Sequence, residues 1–447
     1  MTDQKTHPHL LAGSDLDSHS HPGAGEGGGH GGHEHEHEML RRASLDHCVK
    51  CTICETQCPV AAVTPLFSGP KYVGPQAERF REGKSVDHSL DYCSSCGICT
   101  LVCPQGVKIA ELNSAARAVM KADHMPLRDQ LISRTTLMGK VMTPVAPIAN
   151  AVLGFKPARI VIEKVIGIDR DAAMPKAHMQ TLVGWLRGRT KPTGPFPKGP
   201  IIYFHGCAAT YFEVQTGIKT IEILEHLGYE VIVPKQGCCG LPLQSNGIFD
   251  TARSWVRKLV DDLRKAPRDL IIVSASTSCS GMLKHEAKEI LGVEDDSLAE
   301  VGVRTRDICE FLLDLHDAGE LPLDFDPIDI TVPYHAPCQL RGHGIGTPAV
   351  QLMELIPGVS VVESGAACCG IAGTYGLKKE KYDIAVAVGK PLFDKVKEVT
   401  DEHHGNLAVC DSETCRWQIE QNTGITTVHP IALLHQAYGL SKLPTIS

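Results

Sequence analysis

The chain has 447 residues, more than one domain comfortably holds, and 43% of them are apolar, enough to bury sizeable cores. Its net charge of −8 excludes nucleic acid as the main partner, because phosphate binding needs a basic face. The opening stretch MTDQKTHPHLLAGSD lacks a basic segment followed by an apolar run, so no secretory signal is expected and the chain is placed in the cytoplasm. Thiols stay reduced there, which leaves the 18 cysteines to metals rather than to disulfides.

Residues 1–38 are rich in Gly and His and cannot bury a core, so a disordered tail is expected. Gly23, Gly25 and Gly28 satisfy G-x-G-x-x-G, but no strand precedes them and no amphipathic helix follows, so a dinucleotide site is not expected. His33, His35 and His37 offer at most a weak Ni²⁺ or Zn²⁺ site.

Residues 41–115 read as short helices around two matched cysteine runs. Cys48-x2-Cys51-x2-Cys54-x3-Cys58-Pro59 recurs, shifted by 45 residues, as Cys93-x2-Cys96-x2-Cys99-x3-Cys103-Pro104. The x2 spacing wraps three thiolates around one cubane face, and the fourth Cys, turned away before Pro, ligates the other cluster. One [4Fe–4S] cluster is therefore expected on Cys48, Cys51, Cys54 and Cys103, and a second on Cys93, Cys96, Cys99 and Cys58. Zinc fits poorly, because its four ligands usually come as two separated pairs.

Residues 116–197 read as a helical linker, amphipathic, basic in places and ending in the Pro/Gly-rich KPTGPFPKGP. Val141–Phe155 is uncharged but interrupted by Pro144, Pro147 and Asn150, and no window reaches the roughly 18 unbroken apolar residues of a spanning helix. Leu137–Ile168 is instead expected to lie on a membrane, with Lys140, Lys156, Arg159 and Lys164 facing anionic headgroups. The alternative is a loop packed on the cluster domain.

From residue 198 the pattern changes to alternating strands and helices: IIYFHGC, TGIKTIEILEHLG, YEVIVP, SWVRKLVDDLRKA and DLIIVSAS. This part is internally repeated. Cys207, Cys238, Cys239 and Cys279 match Cys338, Cys368, Cys369 and Cys415 at offsets of 131, 130, 130 and 136, and His205 and His335 stand just before the first Cys of each set. Two tandem α/β Cys-Cys-Gly domains, 198–325 and 326–447, are expected, with cysteines at the carboxyl ends of parallel strands. Gly240 and Gly370 would let the backbone pass close to a bulky cluster. Ser276 and Ser412 stand three residues before Cys279 and Cys415, and Cys410 adds a fifth thiol to the second site only. A redox cluster is therefore expected at the second site, and either structural Zn²⁺ or a further cluster at the first. Cys309 reads as a buried core thiol.

The repeated Cys-Cys-Gly pattern resembles that of heterodisulfide reductases and related electron-transfer subunits, whose domains can hold a non-cubane [4Fe–4S] cluster. Longer segments are more specific. GPKYVGPQAERFR, LMGKVMTPVAPIAN, CCGLPLQSNGIFDTAR, CCGIAGTYGLKKEKYD and ETCRWQIE followed by HPIALLHQAYG resemble the iron–sulfur C-subunit family of anaerobic glycerol-3-phosphate dehydrogenases, from about Asp46 to Tyr438. In that family a Cys is expected where Ser412 stands. The resemblance implies a relay that takes electrons from a flavin-bearing subunit and passes them to quinone at the inner face of the cell membrane. The chain carries no credible flavin or nicotinamide fingerprint, nucleophile elbow or paired-carboxylate motif, so a partner must handle the organic substrate. The alternatives are a thiol–disulfide reductase subunit, the iron–sulfur subunit of a glycolate or lactate oxidase, and a zinc scaffold.

Overall fold

The computed structural model describes residues 42–82 and 86–440, and the Gly/His-rich tail lies outside them. Among the described residues no strand precedes Gly199. The cysteine runs form tight loops ending in one-turn helices, Ile53–Thr56 and Ile98–Leu101. Lys50 (φ 61°) and Thr52 (φ 69°) are left-handed in the first loop, and Ser95 (φ 58°) and Gly97 (φ 79°) repeat this 45 residues later. Three of these four are not glycine, so the loop fold, turned inward around its thiols, imposes the conformation. The helix Ile109–Lys121 buries Ile109, Leu112 and Ala116 against the cysteine loops and runs on past residue 115, since nothing before Pro126 breaks it.

The linker is more regular than its prolines suggest. Thr135–Met142, a 3₁₀ turn at Thr143–Val145 and Ala146–Gly154 follow without a break. Pro144 and Pro147 each sit in the first turn of their helix, where no N–H is needed. The run Thr135–Gly154 is 20 residues long, and its most apolar 18-residue window has a mean hydropathy of 1.2 and is only 11% buried. By length and composition it is long enough to cross a membrane, which corrects the expectation that prolines preclude this. The helix Lys156–Ile166 folds back against Ala146–Gly154, and Asn150 ties the turn down through two 2.9 Å hydrogen bonds, one to and one from the Ala177 backbone.

Two four-stranded parallel sheets follow. The first contains β1 (Gly199–Tyr203), β2 (Tyr229–Ile232), β3 (Ile272–Ser274) and β4 (Thr305–Asp307) in the order β2-β1-β3-β4. The second contains β5 (Ile330–His335), β6 (Val359–Glu363), β7 (Leu407–Cys410) and β8 (Thr426–Val428) in the matching order β6-β5-β7-β8. Ile202 pairs with both Ile232 and Ile272, and Tyr334 with Glu363 and Val409, so the central strands β1 and β5 are apolar where helices cover both faces. The halves share one core: Tyr203, Val273 and Phe311 pack in the same cluster as Tyr334, Val409 and Leu434. Each fully buried Leu or Ile in that seam contributes roughly 2 kcal/mol, so the two sheets stabilise one another.

Candidate metal centres

The eight N-terminal cysteines fall into two groups. Burial, then Glu55, Cys103, Cys48 and Cys51, push the Cys54 thiol up to about 11, so the last Cys of the second run is a close neighbour of the first run. Cys58 in turn lines a small cavity with Cys93, Cys96 and Cys99. Burial pushes Cys58 up to about 11, against the pull of the Ala61 N–H 3.5 Å from its sulfur. Cys96 and Cys99 are also raised, first by burial and then by neighbouring thiols. Four thiols packed this way cannot ionise together unaided, because each thiolate repels the others in a low dielectric; a cationic metal core removes that repulsion. Soft all-sulfur donors of this kind fit an iron–sulfur core. Cys51 is the exposed member of the first group.

The Cys-Cys-Gly cysteines all follow the carboxyl ends of strands: Cys207 after β1, Cys238 and Cys239 after β2, and Cys279 after β3. Cys207 and Cys238 are 3.6 Å apart at sulfur, as are Cys239 and Cys279. In the second half Cys338 follows β5, Cys368 and Cys369 follow β6, Cys410 ends β7, and Cys415 follows it. The Cys369 and Cys415 sulfurs are 2.9 Å apart. Sequence alone presents the two sets as separate sites, but they face one cavity of about 110 Å³. Cys207, Cys239 and Cys279 of the first half line it together with Cys338, Cys368, Cys369 and Cys415 of the second. Cys96 of the ferredoxin-type region lines the same cavity, whereas Cys238 and Cys410 stand behind it.

Among residues outside the cysteine pattern, His335 stands beside this chamber and Glu413 lines it. His335 places a ring nitrogen within 4.8 Å of the Cys369 and Cys415 sulfurs. Hydrogen bonds from Cys369 and Cys410, with help from His335, hold the Cys415 thiol well below its usual range. Its counterpart His205 does not act this way; its Nδ1 is engaged by Gly206 O and Thr210 Oγ1, and burial pushes it down to about 4. Glu413 lines the cavity and accepts from Ser276 Oγ of the other half at 3.4 Å. Burial raises its carboxyl. The repeat signals His335 only as a histidine before a cysteine, and nothing in sequence signals Glu413.

Gly240 (φ 88°) and Gly370 (φ 87°) are left-handed, and a Cβ there would meet backbone at Ala252 of the helix Phe249–Leu263 and at Ala385 of the helix Tyr382–Glu402. One expectation changes. Arg159 does not face a membrane: it is 5% exposed and donates to the carbonyls of Asp169, Arg170 and Ala172. The apolar helix reaches the first site directly, since Thr135 Oγ1 lies 3.1 Å from Cys207 Sγ and 3.7 Å from Cys238 Sγ. Cys309 is buried in the shared core, as its apolar helix implied.

Residues 44–107 match the model of the 4Fe-4S dicluster domain, and residues 201–284 and 332–420 that of the Cysteine-rich domain. The chain is 38% identical over 401 residues to the C subunit of anaerobic glycerol-3-phosphate dehydrogenase from Escherichia coli, covering 88% of this chain and 98% of the relative. It is 28% identical over 256 residues to the D subunit of dihydromethanophenazine:CoB–CoM heterodisulfide reductase from Methanosarcina barkeri, covering 55% of this chain and 60% of that one. Lactate utilization protein A of Oceanobacillus iheyensis is 28% identical over 206 residues, 45% of this chain and 81% of the relative.

Proposed function

The chain belongs to the family of C subunits of anaerobic glycerol-3-phosphate dehydrogenase, and from that premise we propose that it relays electrons from a flavin-bearing dehydrogenase subunit to membrane quinone. In this reading Cys48, Cys51, Cys54 and Cys103 hold one [4Fe–4S] cluster, and Cys58, Cys93, Cys96 and Cys99 the other. Cys338, Cys368, Cys369, Cys410 and Cys415 hold a further, non-cubane cluster, and Cys207, Cys238, Cys239 and Cys279 hold zinc or another cluster. Such clusters supply reversible one-electron transfer. The observation that supports the reading is that Cys96 lines one cavity with cysteines of both Cys-Cys-Gly sets, so the ligand groups of successive centres would adjoin one another. Exposed Cys51 marks the end open to a partner.

The membrane end is supported by the apolar helices. Leu137, Val141, Ile148, Phe155, Val161 and Val165 are all exposed, and Lys140, Lys156 and Lys164 flank them. Asn150 and Arg159 pin the hairpin to the protein, which favours peripheral binding at the inner face over a crossing.

A Cys368→Ala variant of the whole complex tests the route. It should keep two reducible cubane signals and lose glycerol 3-phosphate-dependent quinone reduction at least a hundredfold, whereas Cys238→Ala should mainly lower stability. Unchanged quinone reduction in Cys368→Ala would take the cavity off the route. A second reading, reduction of a small organic disulfide within the shared cavity, is favoured by the two facing thiol sets. Oxidation of the prereduced chain by such a disulfide, with no response to quinone, would establish it instead.

A further inference from the structure

We infer that buried positive charge around Cys93 makes the second cysteine group the electron acceptor of the ferredoxin-type pair, so that electrons pass from the Cys48/Cys51/Cys54/Cys103 group to the Cys58/Cys93/Cys96/Cys99 group. This rests on the reading that both groups hold cubanes. Arg117 is 6% exposed and donates to the carbonyls of Leu90, Cys93 and Ser245 and to Ser95 Oγ. Lys381, 2% exposed, pairs with Asp91 at 2.9 Å and lies over the Tyr92 and Tyr375 rings. Lys121 pairs with Asp91 at 3.0 Å and shares Asp129 with Lys378, at 2.9 and 2.8 Å. Arg117, Lys121, Lys378 and Lys381 thus face two carboxylates, Asp91 and Asp129, and all four are buried and line one small pocket with Cys93. Arg128 also pairs with Asp129 at 3.1 Å. Burial pulls Lys378 down to about 7 and Lys381 to about 8, so part of the lysine charge is lost near neutral pH.

Among the described residues the first group has no such cluster of buried cations. Glu55 presses on Cys54 and, more weakly, on Cys58 of the second group, with one buried carboxylate oxygen lacking a hydrogen-bond partner, while buried Glu111 presses on Cys99. Lys50 is exposed, and Arg79 is paired with exposed Asp46 at 3.3 Å, so water and salt screen both. Reduction adds one negative charge to a centre. A cation in low dielectric favours that charge, and a carboxylate opposes it. Burial of the second group works against reduction, but the same burial strengthens its cations, and Arg117 reaches the backbone of Cys93 itself. In the step, one electron leaves the first centre, which is oxidised, and enters the second, which is reduced. No bond or proton changes at these residues, and the electron originates in the flavin-bearing partner.

A potentiometric titration of the full chain followed by electron paramagnetic resonance tests this, with iron measured on the same samples. Arg117→Gln should lower the midpoint potential of one cubane and leave the other unchanged, and Lys381→Gln should move the same cubane the same way. Glu55→Gln should raise the other cubane more than this one. Arg117→Lys, which keeps the charge, should restore most of the shift. Unmoved potentials in both Arg117→Gln and Lys381→Gln, at about eight or more iron atoms per chain as two cubanes require, would overturn the inference while leaving the two-cubane reading intact. A shift in Arg117→Lys as large as in Arg117→Gln would also overturn it, by assigning the effect to shape rather than charge. Fewer than about four iron atoms in the parent chain after reconstitution would remove the two-cubane reading, and the inference with it.

Discussion

Asp307 and Asp411 face each other across the seam between the two halves, each fully buried and each with one oxygen already engaged. Asp411 accepts from Tyr334 Oη at 2.6 Å, and Asp307 caps the helix Ile308–Asp317 in a capping box with Glu310. Burial, then Asp411, push the Asp307 carboxyl up from 3.8 to about 8. The folded chain therefore keeps a proton that the unfolded chain releases, and this contribution to stability falls as pH rises through that window. Asn caps a helix as well as Asp does and is neutral at every pH. Asp307→Asn should therefore melt above the parent at pH 8 and show a flatter pH dependence between pH 4 and 8; a lower melting temperature at pH 8 would mean the charged carboxylate is required. At this scale the thiols were legible because their spacing is local. Arg117 was not, because its partner Ser245 lies 128 residues away and only folding joins them. The same holds for Glu413, which meets Ser276 across 137 residues.

Among the elements, the strands were legible as apolar runs and the apolar hairpin was not. Proline in sequence reads as a breaker, yet Pro144, Pro147 and Pro157 all occupy first turns and start helices. The hairpin leads to a binding prediction. Lys140, Lys156 and Lys164 each contribute about 1 kcal/mol near an anionic surface, so losing them costs roughly a hundredfold and reversing all three to Glu should weaken flotation with anionic vesicles by more than that. Arg159→Glu belongs to a different class: it removes the donor to three carbonyls, and its effect should appear in melting rather than as a selective loss of anionic-vesicle binding. Unchanged flotation in the triple variant would move membrane contact to a partner subunit.

For the molecule as a whole, the repeat announced two similar halves but not their arrangement, because the offsets between cysteines say nothing about which way two sheets face. The structure turns their cysteine-bearing ends toward one another and closes the cavity with the ferredoxin-type region. That closure has a consequence for biogenesis. Cys368, Cys369 and Cys415 are at most 5% exposed, while Cys51 lies open. A delivery protein carrying a preformed cluster can reach the outer group at any time, but it can reach the inner thiols only before the three parts have docked. The chamber must therefore be loaded before docking, whereas the outer group can be loaded before or after it. Iron and sulfide supplied to a folded, metal-free chain should rebuild the Cys48/Cys51/Cys54/Cys103 centre within minutes and leave the chamber empty, whereas the same reagents added during refolding from denaturant should fill both. Equal recovery by the two routes would mean that the halves part readily in the native state.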